Sequence, residues 1–356
     1  MSDTVRAATL TAEPAWFGGR APRVVTVVLN WRRPDETLTC VRSLLKMDYP
    51  NHHILIIDNS AGTTDIDGLL HDLPVEIIRN PANLGFTGGV NIGMRHAVAS
   101  GADYVWLMNS DATTAPDALT RLVATAEATP GIGLISPVIR APADPARPED
   151  SNRIVFCLGL QGPDHVASRG TSDPEEAAEW LRDRPADTVL YGAALLVRRA
   201  LIDAIGGLDE RFFAYVEDID YSLRCHDAGF TVAVCFDAFV YHQFKDLMTD
   251  ILSPYVHYFM NRNQMLLWRK RTRGFFFRKA TVWYLYQRLL KIERERGDPV
   301  VANALLLGLW DGLRGVSGAY DPDRLAPWWL RRTIGQRPGM VINVLERKFP
   351  WRARPA

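Results

Sequence analysis

The chain has 356 residues, 47% of them hydrophobic and 23% charged, with 26 glycines and 22 prolines. That is ordinary globular composition, long enough for one large domain or two modest ones. A formal net charge of zero hides an asymmetry: residues 1–250 carry 21 Lys and Arg against 34 Asp and Glu, and residues 251–356 carry 20 against 7.

The four cysteines, Cys40, Cys157, Cys225 and Cys235, have no CxxC spacing, so neither a disulfide framework nor a zinc site is indicated. Residues 1–22 read as an N-terminal extension without the basic start and apolar core of a signal peptide. No run approaches the roughly 18 apolar residues of a membrane span. A soluble, cytoplasmic protein is expected.

From Arg23 the pattern becomes regular. VVTVVLN (Val24–Asn30) is a short β-branched run suited to a strand buried on both faces. ETLTCVRSLLKM follows with Leu38, Val41, Leu44 and Leu45 at helical spacing. HILIIDN is a second strand, IDGLLHDL a short helix and VEIIRN a third strand. GGVNIGMRHAVAS opens on glycines and continues as a helix, and DYVWLMN is a fourth strand. PDALTRLVATAEAT reads as a helix and GIGLISPVI as a fifth strand. Strands alternating with helices over about 120 residues predict a parallel, helix-flanked α/β sheet. Ligands bind such sheets beyond the carboxyl ends of the strands. Those ends carry Asn30, Asp58-Asn59, Arg79-Asn80 and Asn109-Ser110-Asp111, which gathers polar groups on one edge.

Farther along, RIVFCLGLQG is strand-like and PEEAAEWLRDR an acidic helix. The densest block begins with the strand TVLYGAALLV, passes a helix and a glycine turn, and reaches FFAYVEDIDYSLRCHDAG before the strands TVAVCF and AFVYH. Beyond about residue 250 the chain is basic, aromatic and mainly helical.

Several groups in this pattern suit chemistry. NPANLGFTGGVNIG permits close backbone approach to a ligand, yet its spacing fits neither GxGxxG nor the P-loop. Asp111, at a strand end, suits a hard divalent cation that retains ligand positions for phosphates; Asn109 supplies no charge, so another ligand is needed, and His242 is a candidate. Glu217, Asp218 and Asp220 place three carboxylates in four residues, which repel one another unless a cation or a reaction uses them. Asp220 can cap the following helix and Arg224 can pair with it, which leaves an acid beside aromatic walls with the raised pKa of a general base.

The ordered set VVLNW, IIDNS, RNPANLGFTGGVNIG, LMNSDAT, YGAALLVRR, GGLDERFFAYVEDIDYSLR, VYH and NRNQMLL resembles the family 2 glycosyltransferases, most closely their rhamnosyltransferase-like branch. The likeness runs from about Arg23 to about Trp268. It implies a GT-A fold, a mostly parallel Rossmann-like sheet flanked by helices. The catalytic domain would span residues 23–250, with a nucleotide half at about 23–140 and an acceptor half at about 141–250, followed by a helical region at 251–356.

By this resemblance, the loop at Asn30 touches the nucleoside and Asp58 binds the base. Asn83, Phe86 and Gly89 lie in a loop around the nucleotide. Asn109-Ser110-Asp111 is the N-x-D form of the metal-binding DXD motif, so that Asp111 and the late His242 hold Mg2+ or Mn2+. Asp218 is the general base of the ED motif, Gly192-Ala193-Ala194 line the acceptor side, and Arg262-Asn263 match an RN pair without an assigned role.

The activity implied is inverting, metal-dependent transfer of a sugar, with rhamnose one choice. The donor is a dTDP, UDP or GDP sugar, and the acceptor a glycan, a lipid-linked saccharide or a small molecule. QFKDLMTDILSP replaces the usual small loop after the histidine; either Lys245 supplies a positive charge near the diphosphate or the segment starts a helix. A non-catalytic relative and a nucleotidyltransferase are the alternatives, though NWRRPDET lacks the glycine of a triphosphate loop. No nucleic-acid partner is expected. For the basic stretch Arg262–Arg296, a structural core, a homodimer interface and a contact with the inner membrane face remain open.

Overall fold

The computed structural model describes residues 19–145, 148–162, 168–242, 253–272 and 298–335, with single helical residues at 284, 287, 288, 339, 341 and 343. Two compact units divide the chain. The first takes the described residues of Met1–Gln161, Ser168–Phe213 and Glu217–Phe244; the second takes those of Gly162–Ala167, Ala214–Val216 and Lys245–Ala356. Lys245 itself, and most of the aromatic-basic stretch after Thr272, lie outside the described residues.

The first unit is built on a mixed sheet. Strands β1 (Val24–Asn30), β2 (His52–Asp58), β3 (Glu76–Arg79) and β4 (Tyr104–Asn109) are mutually parallel in the order β3-β2-β1-β4. Between them run α1 (Pro34–Leu44), α2 (Ile66–Leu70) and α3 (Gly85–Ala99). Pro34 at the first position and Asp35 and Glu36 in the first turn suit the start of α1. After the short β5 (Ala112–Thr114) come α4 (Ala118–Ala128) and β6 (Ile132–Arg140).

The parallel succession then ends, which the sequence pattern does not foretell. From β6 the chain passes through β7 (Ile154–Phe156), which pairs with it antiparallel. It then forms a separate small sheet of β8 (Leu158–Gln161), β9 (Ser168–Thr171) and β10 (Thr188–Val189), with α5 (Pro174–Asp183) before β10. It returns as β11 (Ala194–Arg198), which enters antiparallel between β4 and β6. The expected single strand over TVLYGAALLV is therefore two strands in two sheets, broken at Leu190–Ala193. α6 (Arg199–Ile205) and α7 (Glu217–Asp227) follow, and then β12 (Thr231–His242). The expected strands TVAVCF and AFVYH are one strand, parallel to β6, with an irregularity between Cys235 and Phe239.

Alternation along the strands builds a core on each face. Val24, Val28, Tyr104, Trp106 and Met108 pack with Cys40, Leu44, Leu119 and Leu122 of α1 and α4. Val25, Val27, Val105 and Leu107 pack with Val90 and Met94 of α3 and Tyr221 of α7. Glycine lets α3 come close: a Cβ on Gly93 would stand 2.4 Å from Val27 Cγ1. All four cysteines are buried and unbridged.

The second unit centres on α8 (Pro254–Arg271) and α9 (Pro299–Arg314). Their backbones approach closely, since a Cβ on Gly308 would lie 2.4 Å from the Tyr258 carbonyl oxygen. The Tyr258 hydroxyl donates to Asp311 Oδ2 at 2.8 Å. Within α8, Tyr258, Phe259, Met265, Leu267 and Trp268 are buried, so this part of the aromatic-basic stretch is core. Arg262 is fully buried, its guanidinium 4.6 Å from the Phe259 ring centre, and its Nε donates to Asn263 Oδ1 at 2.8 Å. Asn263 in turn donates to the carbonyls of Ala214 at 2.6 Å and Tyr215 at 2.7 Å. Those carbonyls belong to a turn in which Tyr215 (φ 69°) and Val216 (φ 71°) occupy the left-handed region, costly for a β-branched residue. The RN pair thus has a structural role in the second unit.

Replacing Asn263 with Ala strands two carbonyls and removes the clamp on that turn. We expect a loss of about 2–4 kcal/mol, read as a lower urea midpoint at unchanged slope. An unchanged midpoint would contradict the clamp.

Candidate functional site

The carboxyl ends of β1 and β2 form a closed polar network. Asn30 Nδ2 donates to Asp58 Oδ1 at 2.9 Å and to Ser60 Oγ at 3.2 Å, while Asn30 Oδ1 accepts from Thr37 Oγ1 at 3.0 Å. The Ser60 backbone N–H also reaches Asp58 Oδ1, at 3.1 Å. Asn30, Asp58 and Thr37 are all buried, so Asn30 acts here as the scaffold that orients Asp58. Sequence reading did not find Ser60 or Thr37; single hydroxyls beside a strand end give no distinguishing signal.

Asn59 organises the next loop, donating to Asn83 Oδ1 at 2.9 Å and to the Gly85 carbonyl at 3.0 Å. The Asn80 amide returns a bond to Asn59 Oδ1 at 3.0 Å. Of the three residues expected in a nucleotide loop, only Asn83 is in one. Phe86 and Gly89 fall in the first turns of α3, because the helix already begins at Gly85. A Cβ on Gly89 would meet Leu29 Cδ1 at 2.4 Å, so this glycine allows α3 to seat on β1. Gly85 has φ 75°, and a Cβ there would lie 2.5 Å from the Phe213 carbonyl oxygen; both constraints demand glycine.

The end of β4 brings three expected residues together. His242 Nε2 lies 3.0 Å from Asp111 Oδ1 and 3.3 Å from Asn109 Nδ2. The pairing of β12 with β5 causes this, since it sets His242 opposite Ala112. One ring nitrogen cannot donate to the carboxylate and accept from the amide in the same tautomer. Burial pushes the Asp111 carboxyl up, but the hydrogen bond and charge of His242, with Arg33 beyond, outweigh it and hold the carboxyl below its ordinary value.

These residues fit a divalent cation. Two neighbouring ligands on an octahedral ion, each at about 2.1 Å, stand about 3 Å apart, which is the separation of Asp111 Oδ1 and His242 Nε2. Among the described residues no group of three or more His, Cys, Asp or Glu gathers around a common point. A cation at Asp111 and His242 would therefore take its other ligands from substrate and water.

The acids of α7 have three different environments. Asp220 is fully buried and accepts from Arg224 Nε at 2.9 Å. Arg224 also donates to the carbonyls of Ile205 at 2.9 Å and Gly207 at 2.7 Å. Asp220 thus sits inside the helix as an ion-pair partner and does not cap it. Glu217 is buried, its Oε2 has no hydrogen-bond partner among the described residues, and burial next to Asp218 pushes its carboxyl well up. Asp218 remains half-buried; its Oδ2 accepts from the Gly192 N–H at 2.7 Å and its Oδ1 from the Ile219 N–H at 2.8 Å. Desolvation raises it to about 6 despite those two bonds.

Two backbone links join this acid to the turn at Asp111. The Asn109 N–H donates to the Ala193 carbonyl at 3.0 Å, and the preceding residue, Gly192, donates to Asp218. Asp218, Asn109, Asp111 and His242 thus share one rim of the sheet. This rim carries the Asp111–His242 pair and, joined to it through Gly192 and Ala193, an acid of near-neutral pKa.

Residues 22–253 match a family model described as Glycosyltransferase like family 2. Galactofuranosyltransferase GlfT1 of Mycobacterium tuberculosis is 31% identical over 229 residues, covering 62% of this chain and 69% of that protein. An N-acetylglucosaminyl-diphospho-decaprenol L-rhamnosyltransferase of the same organism is 29% identical over 189 residues, 49% of this chain and 61% of that one. The dTDP-rhamnosyl transferase RfbF of Shigella flexneri is 22% identical over 307 residues, 83% and 97% of the two chains. Among solved structures, the mannosyltransferase PcManGT of Pyrobaculum calidifontis superposes at 14% identity with a TM-score of 0.48, over 94% of this chain and 89% of that one.

The Asp220–Arg224 pair gives the helix that carries the acids its own test. Arg224→Met leaves a buried carboxylate and two carbonyls without their partner, and we expect a loss of about 3–5 kcal/mol in chemical denaturation. A change below about 1 kcal/mol would mean that the pair does not hold α7.

Proposed function

The chain belongs to the family 2 glycosyltransferases, enzymes that transfer sugars from nucleotide donors, and on that premise we propose that it inverts the anomeric centre of the transferred sugar with Asp218 as general base and a divalent cation at Asp111 and His242. The observation that supports this reading is the pair of backbone links, Asn109 to Ala193 and Gly192 to Asp218, which tie the segment of the proposed base to the strand end that leads to the proposed cation ligands.

In this mechanism Asp58 and the Asn59–Asn83 network hold the nucleoside end of the donor. Asp111 and His242 hold Mg2+ or Mn2+, which when bound neutralises, as a Lewis acid, the charge on the departing nucleoside diphosphate. The acceptor hydroxyl lies against Asp218. Its proton passes to the Asp218 carboxylate as the oxygen bonds to the anomeric carbon and the bond from that carbon to the diphosphate oxygen breaks. Displacement in line inverts the centre and requires no covalent enzyme intermediate. A pKa of about 6 leaves Asp218 ionised at neutral pH yet basic enough to take the proton. Burial, and after it the charge of Asp218, push the Glu217 carboxyl well up, which leaves Asp218 the more acidic of the two neighbours.

The names of the relatives favour a galactofuranosyl or rhamnosyl group as the sugar. The acceptor is a hydroxyl of a glycan, of a lipid-linked saccharide or of a small molecule. The nucleoside diphosphate of the donor is dTDP, UDP or GDP, and the one that binds raises the thermal midpoint further when Mn2+ is present. Asp111→Ala should remove the Mn2+ increment; an undiminished increment would place the cation elsewhere.

Asp218→Asn should reduce turnover by about 10³-fold or more while leaving donor binding intact. Glu217→Gln should cost less than about tenfold, since Glu217 takes no proton in this mechanism. Ionised Asp218 is the active form, so the rate should fall about tenfold per pH unit below about 6. Unimpaired turnover by Asp218→Asn, or a flat profile down to pH 4.5, would remove Asp218 as the base.

A further inference from the structure

Half of the exposed large hydrophobic residues among those described lie between 300 and 329: Val300, Leu313, Leu325, Trp328 and Trp329. The last three fall within five residues of one another. Trp328 is 68% exposed, Leu325 58% and Trp329 44%. Ordered contacts hold their segment in place. Asn303 Nδ2 donates to the Arg324 carbonyl at 3.1 Å, and the Ala326 N–H donates to Asn303 Oδ1 at 2.9 Å. The Trp329 ring meets Trp310 of α9 edge-on, with centres 5.7 Å apart. The exposed side chains are therefore displayed on a fixed surface of the second unit.

We propose that the surface formed by Leu325, Trp328 and Trp329, with the exposed Arg332 beside it, docks on an anionic lipid bilayer. Indoles are suited to the boundary between headgroups and acyl chains, with an apolar body and one polar N–H. The charge is complementary. Arg332 is exposed, and as a composition the sequence from Arg324 to the C-terminus has eight Lys and Arg against one Glu, a balance that favours anionic headgroups. A second copy of the chain suits the patch less well. Three side chains present on the order of 300 Å², against about 800 Å² per partner for a specific protein interface. No described helix is long and apolar enough to cross a membrane, so docking would be peripheral. This surface lies on a different segment from the basic aromatic helix α8, whose rings are spent on the core.

The test is co-sedimentation of the full chain with vesicles of phosphatidylglycerol and phosphatidylethanolamine, compared with phosphatidylcholine alone. The native chain should bind the anionic vesicles, at least fivefold less tightly in 0.5 M than in 0.1 M salt, and neglect the neutral ones. Trp328→Ser with Trp329→Ser should weaken binding at least tenfold with an unchanged circular dichroism spectrum and unchanged transfer to a soluble acceptor. Should that variant fold poorly, Leu325→Cys carrying a polarity-sensitive dye serves instead, since the four native cysteines are buried. Its emission should shift to the blue on adding anionic vesicles. No binding by the native chain, full binding by the double variant, or a dye that ignores the vesicles would overturn the proposal. So would a dimer in sedimentation equilibrium that the double substitution dissociates, which would make the patch a contact between copies.

Discussion

Two hydrogen bonds made by consecutive residues carry the site: Ala193 accepts from Asn109, and Gly192 donates to the Asp218 carboxylate. Both depend on β11 entering antiparallel between β4 and β6. A fully parallel sheet would place the strand from β6 beside β4, and no loop would then run from the cation turn to α7. The antiparallel return needs no crossover helix, and its entry loop lies at the rim where β4 ends. The topology thus supplies the proximity of two groups 107 positions apart in the sequence, Asp111 and Asp218.

The electrostatics follow from how each acid is partnered. Asp220 meets Arg224 deep in the fold and serves stability. Among the described residues the partners of Asp218 are backbone N–H groups, and it keeps some access to solvent, so desolvation lifts it to about 6 without neutralising it at pH 7. Glu217 is pushed well above its ordinary value by burial and by the charge of Asp218. Asp111 moves the other way, since His242 favours its ionised form. A carboxylate held low and an acid raised toward neutrality are the division of labour that the proposed mechanism requires.

Much of this is legible in the sequence. The β-branched runs ending on Asn30, Asp58 and Asn109 place a polar rim correctly, because strand period and buried composition are local properties. The excess of carboxylates in Glu217–Asp220 marks α7 for the same reason. The helix start at Gly85 is less visible: Phe86 and Gly89 look like loop residues until the close approach of Leu29 explains the glycine. Non-local pairing is the least legible. The splitting of TVLYGAALLV between two sheets, the fusion of TVAVCF with AFVYH, and the hydroxyls of Thr37 and Ser60 around Asn30 all depend on partners far along the chain. The choice between core and surface for the aromatic tail is likewise tertiary. Tyr258, Phe259 and Trp268 are interior, whereas Trp328 and Trp329, equally aromatic, face outward.

The account stands most directly on where a cation and a nucleoside diphosphate bind. Anomalous diffraction from crystals soaked with Mn2+ and the diphosphate should place the ion about 2.1 Å from both Asp111 and His242, with Asp218 open to the space beyond the outer phosphate. An ion bound elsewhere, or Asp218 closed off from that space, would contradict it.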